Sequence, residues 1–186
     1  MSTDNDEYLD RVKHAFEEDL ACNRLRLVSH EYFPEKCGNS TVVLHAREYA
    51  LKLTRNRGEE FAQVAHPDAP DKWSLLQLAI RAVAERTDPM EYSPGVGLLE
   101  AEAAALLYSE HRDTLATGYG SRWQIVREAL EHLEKELETA ADHWHASPEG
   151  KKWLAEMLAL GREARKNASP EFLELLRQIE EQASRK

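Results

Sequence analysis

The feature that most constrains this chain is a change of apolar period partway along it. Up to about residue 65, apolar residues in several short segments recur every second position. From residue 98 onward they recur every third or fourth. A period of two sends alternate side chains to opposite faces of a strand, whereas a step of three or four stacks them on one face of a helix. Strands gathered in one stretch and helices in another imply an α+β chain, not the strand–helix alternation of an α/β fold.

Residues 5–20 read as a helix, with Tyr8, Leu9, Val12, Phe16 and Leu20 on one stripe. Leu25 and Leu27 then alternate with Arg24 and Arg26, giving a strand over residues 23–33. Residues 40–46 are β-branched and alternate again, and Tyr49, Leu51 and Leu53 share one face of a third strand. Asn56-Arg57-Gly58 supplies a tight turn, with Gly58 suited to a positive φ, and residues 59–65 return as a fourth strand. Four strands with short links predict an antiparallel meander, one face of which must be covered by helices. After the breaker His66-Pro67-Asp68-Ala69-Pro70, Asp71 is placed to cap a helix over residues 72–85, rich in Leu and Ala, that packs on the sheet.

Residues 87–97 hold two prolines and two glycines, which sets the expected boundary: an α+β module over 1–88 and a helical region over 89–186. A helix over 98–115 ends at Thr117-Gly118-Tyr119-Gly120, and Ser121 with Gln124 has the spacing of a capping box. Val126, Leu130, Leu133, Leu137, Ala141 and Trp144 then form one continuous helical seam. Ser147-Pro148-Glu149 and Ser169-Pro170-Glu171 each have helix-start chemistry, since proline suits the first helical position and glutamate its positive end. The second half therefore resembles a small helical bundle.

Charge narrows the partners. The 186 residues include 24 basic and 34 acidic side chains, a net −10. Both halves share the sign, which disfavours nucleic acid and suits either solubility or a basic partner. Apolar runs fall far short of the roughly 20 residues of a membrane span. The first ten residues are acidic and polar, unlike a signal peptide, so a cytoplasmic location is expected. Two cysteines, Cys22 and Cys37, fit a reducing compartment without requiring a disulfide.

No catalytic, metal or cofactor motif emerges. There is no Cys-x-x-Cys pair, no phosphate loop, no Gly-x-Ser-x-Gly elbow and no Glu-x-x-His pair of a di-metal bundle. Glu128, His132 and Glu136 share a helix face, but three ligands on one helix need a partner helix to close a site; a solvated face is the plainer reading. Gly95-Val96-Gly97 reads as linker. Arg55 and Arg57, with Arg47, Lys52 and Arg24, form a local basic edge, suited to protecting a sheet edge or to contacting an anion or an acidic partner. The four tryptophans fall on apolar helical faces or helix starts.

Gly38-Asn39-Ser40-Thr41-Val42-Val43-Leu44, the run from Tyr49 through Arg55-Asn56-Arg57-Gly58-Glu59-Glu60-Phe61, and Pro70-Asp71-Lys72-Trp73 together resemble a group of small bacterial proteins. Some of that group resemble immunity proteins carried beside polymorphic toxins. Gly38, Asn39, Arg55, Arg57, Gly58, Phe61 and Trp73 match its pattern, and the helical half has no counterpart in it. The resemblance implies a non-catalytic protein that neutralises a partner, such as a basic toxin domain, by direct binding, with Arg55, Arg57 and Trp73 as the binding residues. Two other readings stand beside it. One is an adaptor that self-associates through the Val126–Trp144 seam as a homo-oligomer. The other is an enzyme assembled from dispersed residues near the sheet, with His30, Glu31, His45 and Arg55 as the first candidates.

Overall fold

The computed structural model describes residues 7–33, 38–86, 91–169 and 177. The fold is α+β. Two short helices, α1 (Glu7–Ala15) and α2 (Glu17–Ala21), lead into strands β1 (Arg26–Phe33), β2 (Asn39–His45), β3 (Ala50–Asn56), β4 (Glu59–Ala65) and β5 (Ser74–Leu75). Helices α3 (Leu76–Val83), α4 (Ala101–Tyr119), α5 (Trp123–Ala146) and α6 (Pro148–Lys166) follow. The sheet order is β1-β2-β3-β4-β5, every pair antiparallel, so the meander stands with one short strand added.

Alternation along the strands sets the core. Val42, Leu44, Leu51, Leu53, Ala62 and Val64 are buried on one face, and directly opposed partners such as Val42 and Leu53 share it. Tyr8, Val12 and Phe16 close that face from the N-terminal helices, and Ala104, Tyr108, Leu115 and Tyr119 close it from α4. β1 is an edge strand, interrupted by a bulge between Leu27 and Ser29 that leaves Leu27 and Val28 largely exposed. A bulge disrupts the ladder an unwanted strand would pair with. The β3–β4 turn carries positive φ at both central residues, Arg57 (53°) and Gly58 (86°), the twist a two-residue hairpin requires.

Several expectations shift in detail. The helix expected over 5–20 divides at Phe16, whose φ of −104° departs from helical geometry while its ring packs 5.7 Å from that of Tyr108; residues 5 and 6 lie outside the described part. The helix expected from Lys72 begins at Leu76, because Ser74 and Leu75 pair with Val64 and Gln63 as β5; Asp71 does not cap it. α4 runs to Tyr119 and ends within the expected Thr117-Gly118-Tyr119-Gly120 stop, with Gly120 as its C-cap. Gly118 is there for close packing: a Cβ would meet Val83 Cγ1 of α3 at 2.4 Å. The capping box at Ser121 does not form, since its hydroxyl donates to the Thr117 carbonyl and the Gln124 amide donates to Glu128. Ser147 does cap α6, accepting the Gly150 N–H at 3.0 Å, with Pro148 at the first position. The start at Ser169-Pro170-Glu171 runs into residues outside the described part, as does most of the expected boundary at 87–90.

A buried acid ties these pieces together. Glu60 of β4 accepts from Arg11 Nη1 of α1 at 2.7 Å and from the Ala101 N–H that opens α4 at 3.0 Å. It therefore serves as the N-terminal cap that α4 lacks in its own sequence, where Glu100 provides no side-chain cap.

The chain divides into two compact units, residues 1–138 and 139–186. Leu115 and Tyr119 of α4 and Val126, Leu130 and Leu133 of α5 belong to the same buried cluster as the sheet. In the second unit, the α5–α6 corner is tight: a Cβ on Gly150 would meet the Trp144 carbonyl oxygen at 2.1 Å, while the Trp144 and Trp153 rings meet edge-on at 5.7 Å.

Candidate functional site

The residues singled out in the sequence do not converge. Arg55 and Leu53 lie on the same, core-side alternation of β3. The Arg55 guanidinium sits 5.9 Å from the centre of the Tyr8 ring, and its Nε is buried without a hydrogen-bond partner among the described residues. Arg57 lies exposed in the β3–β4 turn, its backbone N–H donating to the Asn39 side chain at 2.8 Å. Trp73 lies just before β5, with the Lys52 ammonium 4.4 Å above its ring; Lys52 alternates to the face opposite Arg55. Burial holds the Lys52 ammonium below its usual pKa. The dispersed set is likewise not assembled. His30 and Glu31 point to opposite faces of β1. His45 pairs with Arg26 at one end of the sheet, while Arg55 pairs with Ser40 and Glu60 at the other. Five residues of strand separate those ends, about 17 Å.

Trp73 does line a cavity of about 360 Å³, together with His66, Tyr119, Trp123, Glu131 and Glu134. The His66 and Trp123 rings stack 4.2 Å apart and within 4° of parallel, and Tyr119 lies 5.3 Å from Trp123. The Asp68 backbone N–H donates to His66 Nδ1 at 3.0 Å, which fixes the ring and leaves Nε2 as its other polar atom. The Tyr119 hydroxyl is buried without a hydrogen-bond partner among the described residues; burial, and secondarily the charge of Glu134, push its pKa up and keep it protonated. Glu134 accepts from the Ser74 hydroxyl at 2.7 Å. Asp71, Lys72 and Arg127 complete the rim. Aromatic walls with carboxylates beside them suit an organic cation: the ring faces attract positive charge and the acids complete its pairing. Of this set, sequence reasoning named Trp73 alone. Trp123 was visible as a helix start, but nothing in the spacing placed His66, 57 positions earlier, against it.

A second and larger cavity, about 510 Å³, is lined by Arg24, Arg26, Arg47 and Arg112, with His45 and Tyr108 among its other walls. Arg24 and Arg47 belong to the basic edge read from the sequence; the fold separates them from Arg55 and Arg57 and adds Arg26 and Arg112. Asp19, almost fully buried, accepts from Arg24 Nε at 2.5 Å and lies 3.4 Å from Arg112 Nη1. The first of these contacts, with a further bond to Glu18, raises the pKa of Arg24. Arg112 comes from α4 and carries no sequence signal of its own.

Glu128, His132 and Glu136 lie along α5, with His132 well exposed and 3.7 Å from Glu136, and among the described residues no group of three potential ligands is placed to hold a metal ion. Cys22 is exposed; Cys37 lies outside the described part. No helix of the described residues is long and apolar enough to cross a membrane. No protein-family model, no curated protein and no solved structure matches the chain.

Proposed function

We propose that this chain is a non-catalytic binding protein of the immunity type, which neutralises a basic partner protein by covering it, and that the cavity around Trp73 is where a basic side chain of the partner is received. The observation that carries this reading is the combination of walls and charge. Trp73, Tyr119 and Trp123 stand beside Glu131 and Glu134, on a unit that holds 16 basic against 26 acidic residues and so the whole net −10 of the chain. An acidic surface accelerates encounter with a basic partner, and tryptophan and tyrosine in a desolvated pocket are the side chains that most often dominate binding energy.

The test is recovery of partners on the tagged full chain from its native host at low and high salt, followed by assay of the partner's toxicity with and without the purified chain. A single stoichiometric basic protein, released by salt and inactivated by the chain, is the expected result. Trp73→Ala weakens that capture by about tenfold or more, the loss of one hot-spot aromatic. Recovery of the chain alone overturns the reading.

A second reading, self-association, is favoured by one observation in the other unit. Leu154, Met157, Leu158 and Leu160 of α6 are 45–63 % exposed, and residues 139–186 carry eight acids and eight bases. A neutral unit with an open apolar stripe has little repulsion to keep copies apart. Under this reading the sedimentation coefficient rises with concentration, and Leu158→Glu abolishes the rise.

A further inference from the structure

We propose that the cavity walled by Arg24, Arg26, Arg47 and Arg112 is an anion site that takes a phosphoryl group, in the form of a small phosphate monoester. The four arginines come from four places in the chain, the link before β1, β1 itself, the β2–β3 turn and α4, with the Arg47 side chain reaching into solvent at the cavity mouth. They gather on one concavity of a unit whose overall sign is strongly negative. Glu18, Asp19, Glu48 and Asp113 lie within 4 Å of these arginines, so what the cavity offers an anion is the guanidinium N–H groups that these acids leave unengaged.

The site is organised in advance. Asp19, with 8 % of its side chain exposed, grips Arg24 and Arg112 at once, so one buried carboxylate fixes two guanidinium groups from different elements. The other two are unspent. Arg26 has no acidic partner among the described residues. Arg47 has only its neighbour Glu48, at 3.7 Å, and Asp113 stands at the same 3.7 Å from Arg112 Nε. Both distances exceed hydrogen-bond length, so the two wall acids leave donors uncommitted.

Tyr49 and Tyr108 also line the cavity, the buried Tyr49 hydroxyl donating to Tyr108 at 3.4 Å. Burial raises the pKa of both phenols and keeps them protonated, so neither adds negative charge to the cavity. The guanidinium donor set exceeds what the two oxygens of a carboxylate can accept and suits the three terminal oxygens of a phosphate monoester, which arginine forks engage in pairs. A volume of about 510 Å³ exceeds a phosphate alone, leaving room for an organic remainder against Ala46 and Ala116. The site shares no wall residue with the Trp73 cavity, so it stands whether or not the chain neutralises a protein.

Titration calorimetry on the full chain tests this with three probes at matched ionic strength: inorganic phosphate, glycerol 3-phosphate and succinate, each against sodium chloride. Saturable binding of both phosphoryl probes is expected, with the ester no weaker than phosphate. The double variant Arg26→Gln/Arg47→Gln, which removes two exposed groups and breaks no buried pair, weakens binding by about tenfold or more, as the loss of charge-assisted hydrogen bonds implies. Circular dichroism of the variant establishes that the fold is intact. No heat beyond the chloride control, an unchanged Kd in the folded double variant, or succinate binding as tightly as the ester would each overturn the proposal.

Discussion

The two compact units solve the problem of apolar surface in opposite ways. In residues 1–138, Leu51, Leu53, Val64 and Leu76 are at most 2 % exposed, and helices from both sides of the sheet sequence close over them. In the second unit the only buried residue of α6 is Gly150, while its leucines and methionine face outward. Charge follows the same division, with the net −10 on the first unit and none on the second. The first unit closes a continuous core, with Leu106 and Ile125 left outside it, and carries the charge that keeps copies apart. The second, whose described leucines on α6 lie outward, is neutral. An amphipathic helix gains most of its stability from packing its apolar face, so the two halves of this chain stand in different relations to anything that binds them.

The comparison breaks or sharpens at matched substitutions. Leu53→Ala in the sheet opens a cavity in a filled core and costs about 2–5 kcal/mol, whereas Leu158→Ala on α6 costs less than about 0.5 kcal/mol in the monomer. Urea titration of both variants at low protein concentration measures the two; a large loss at Leu158 would mean that its stripe is covered.

Two helical glycines make a finer pair. A Cβ at Gly118 meets Val83 at 2.4 Å and Val126 at 3.2 Å, while Gly161 of α6 has nothing within 4 Å. Gly118→Ala therefore costs about 1–3 kcal/mol through overpacking, and Gly161→Ala gains up to about 1 kcal/mol in helix propensity. Thermal melts showing shifts of the same sign would remove the distinction.

The smallest effect is electrostatic and belongs to the first unit alone. Arg11 donates to Glu102 through Nε at 3.0 Å and Nη2 at 2.6 Å, and these bonds hold the carboxyl of Glu102 below its usual range. A carboxyl depressed in the folded state contributes stability that is present above its unfolded pKa and lost as pH falls through the folded one. The Tm advantage of the native chain over Glu102→Gln should thus be full at neutral pH and shrink in the acid range. Glu102 is more than half exposed, so the difference is small and falls further with salt.

What could be read from the sequence was what periodicity encodes. The four long strands, the Arg57-Gly58 turn, the Ser147 cap and the burial of Val126, Leu130 and Leu133 all follow from local spacing. What could not be read depends on contacts between distant residues. Ser74-Leu75 looks helical until β4 offers it a ladder. Gly118 looks like a helix stop until Val83 is seen against it. The same holds for both cavities. Trp73 follows from a motif, and Arg24 and Arg47 from a basic edge of the sheet. The stacking of His66 on Trp123 and the grip of Asp19 on Arg112 span 57 and 93 positions and leave no periodic trace. Arg55 and Lys52, three positions apart on β3, end on opposite faces, and it is Lys52 that meets Trp73, because strand alternation decides where a side chain points.

The position of Glu60 has a consequence in time. Its two partners lie 49 residues before it and 41 after it, so the cap of α4 does not exist until β4 has been laid down and the intervening loops have closed. Loop closure has to be met before distant contacts reward it. A growing chain that has emerged only as far as β4 already holds the acid that α4 will need, and α4, once made, finds its first turn prepared for it.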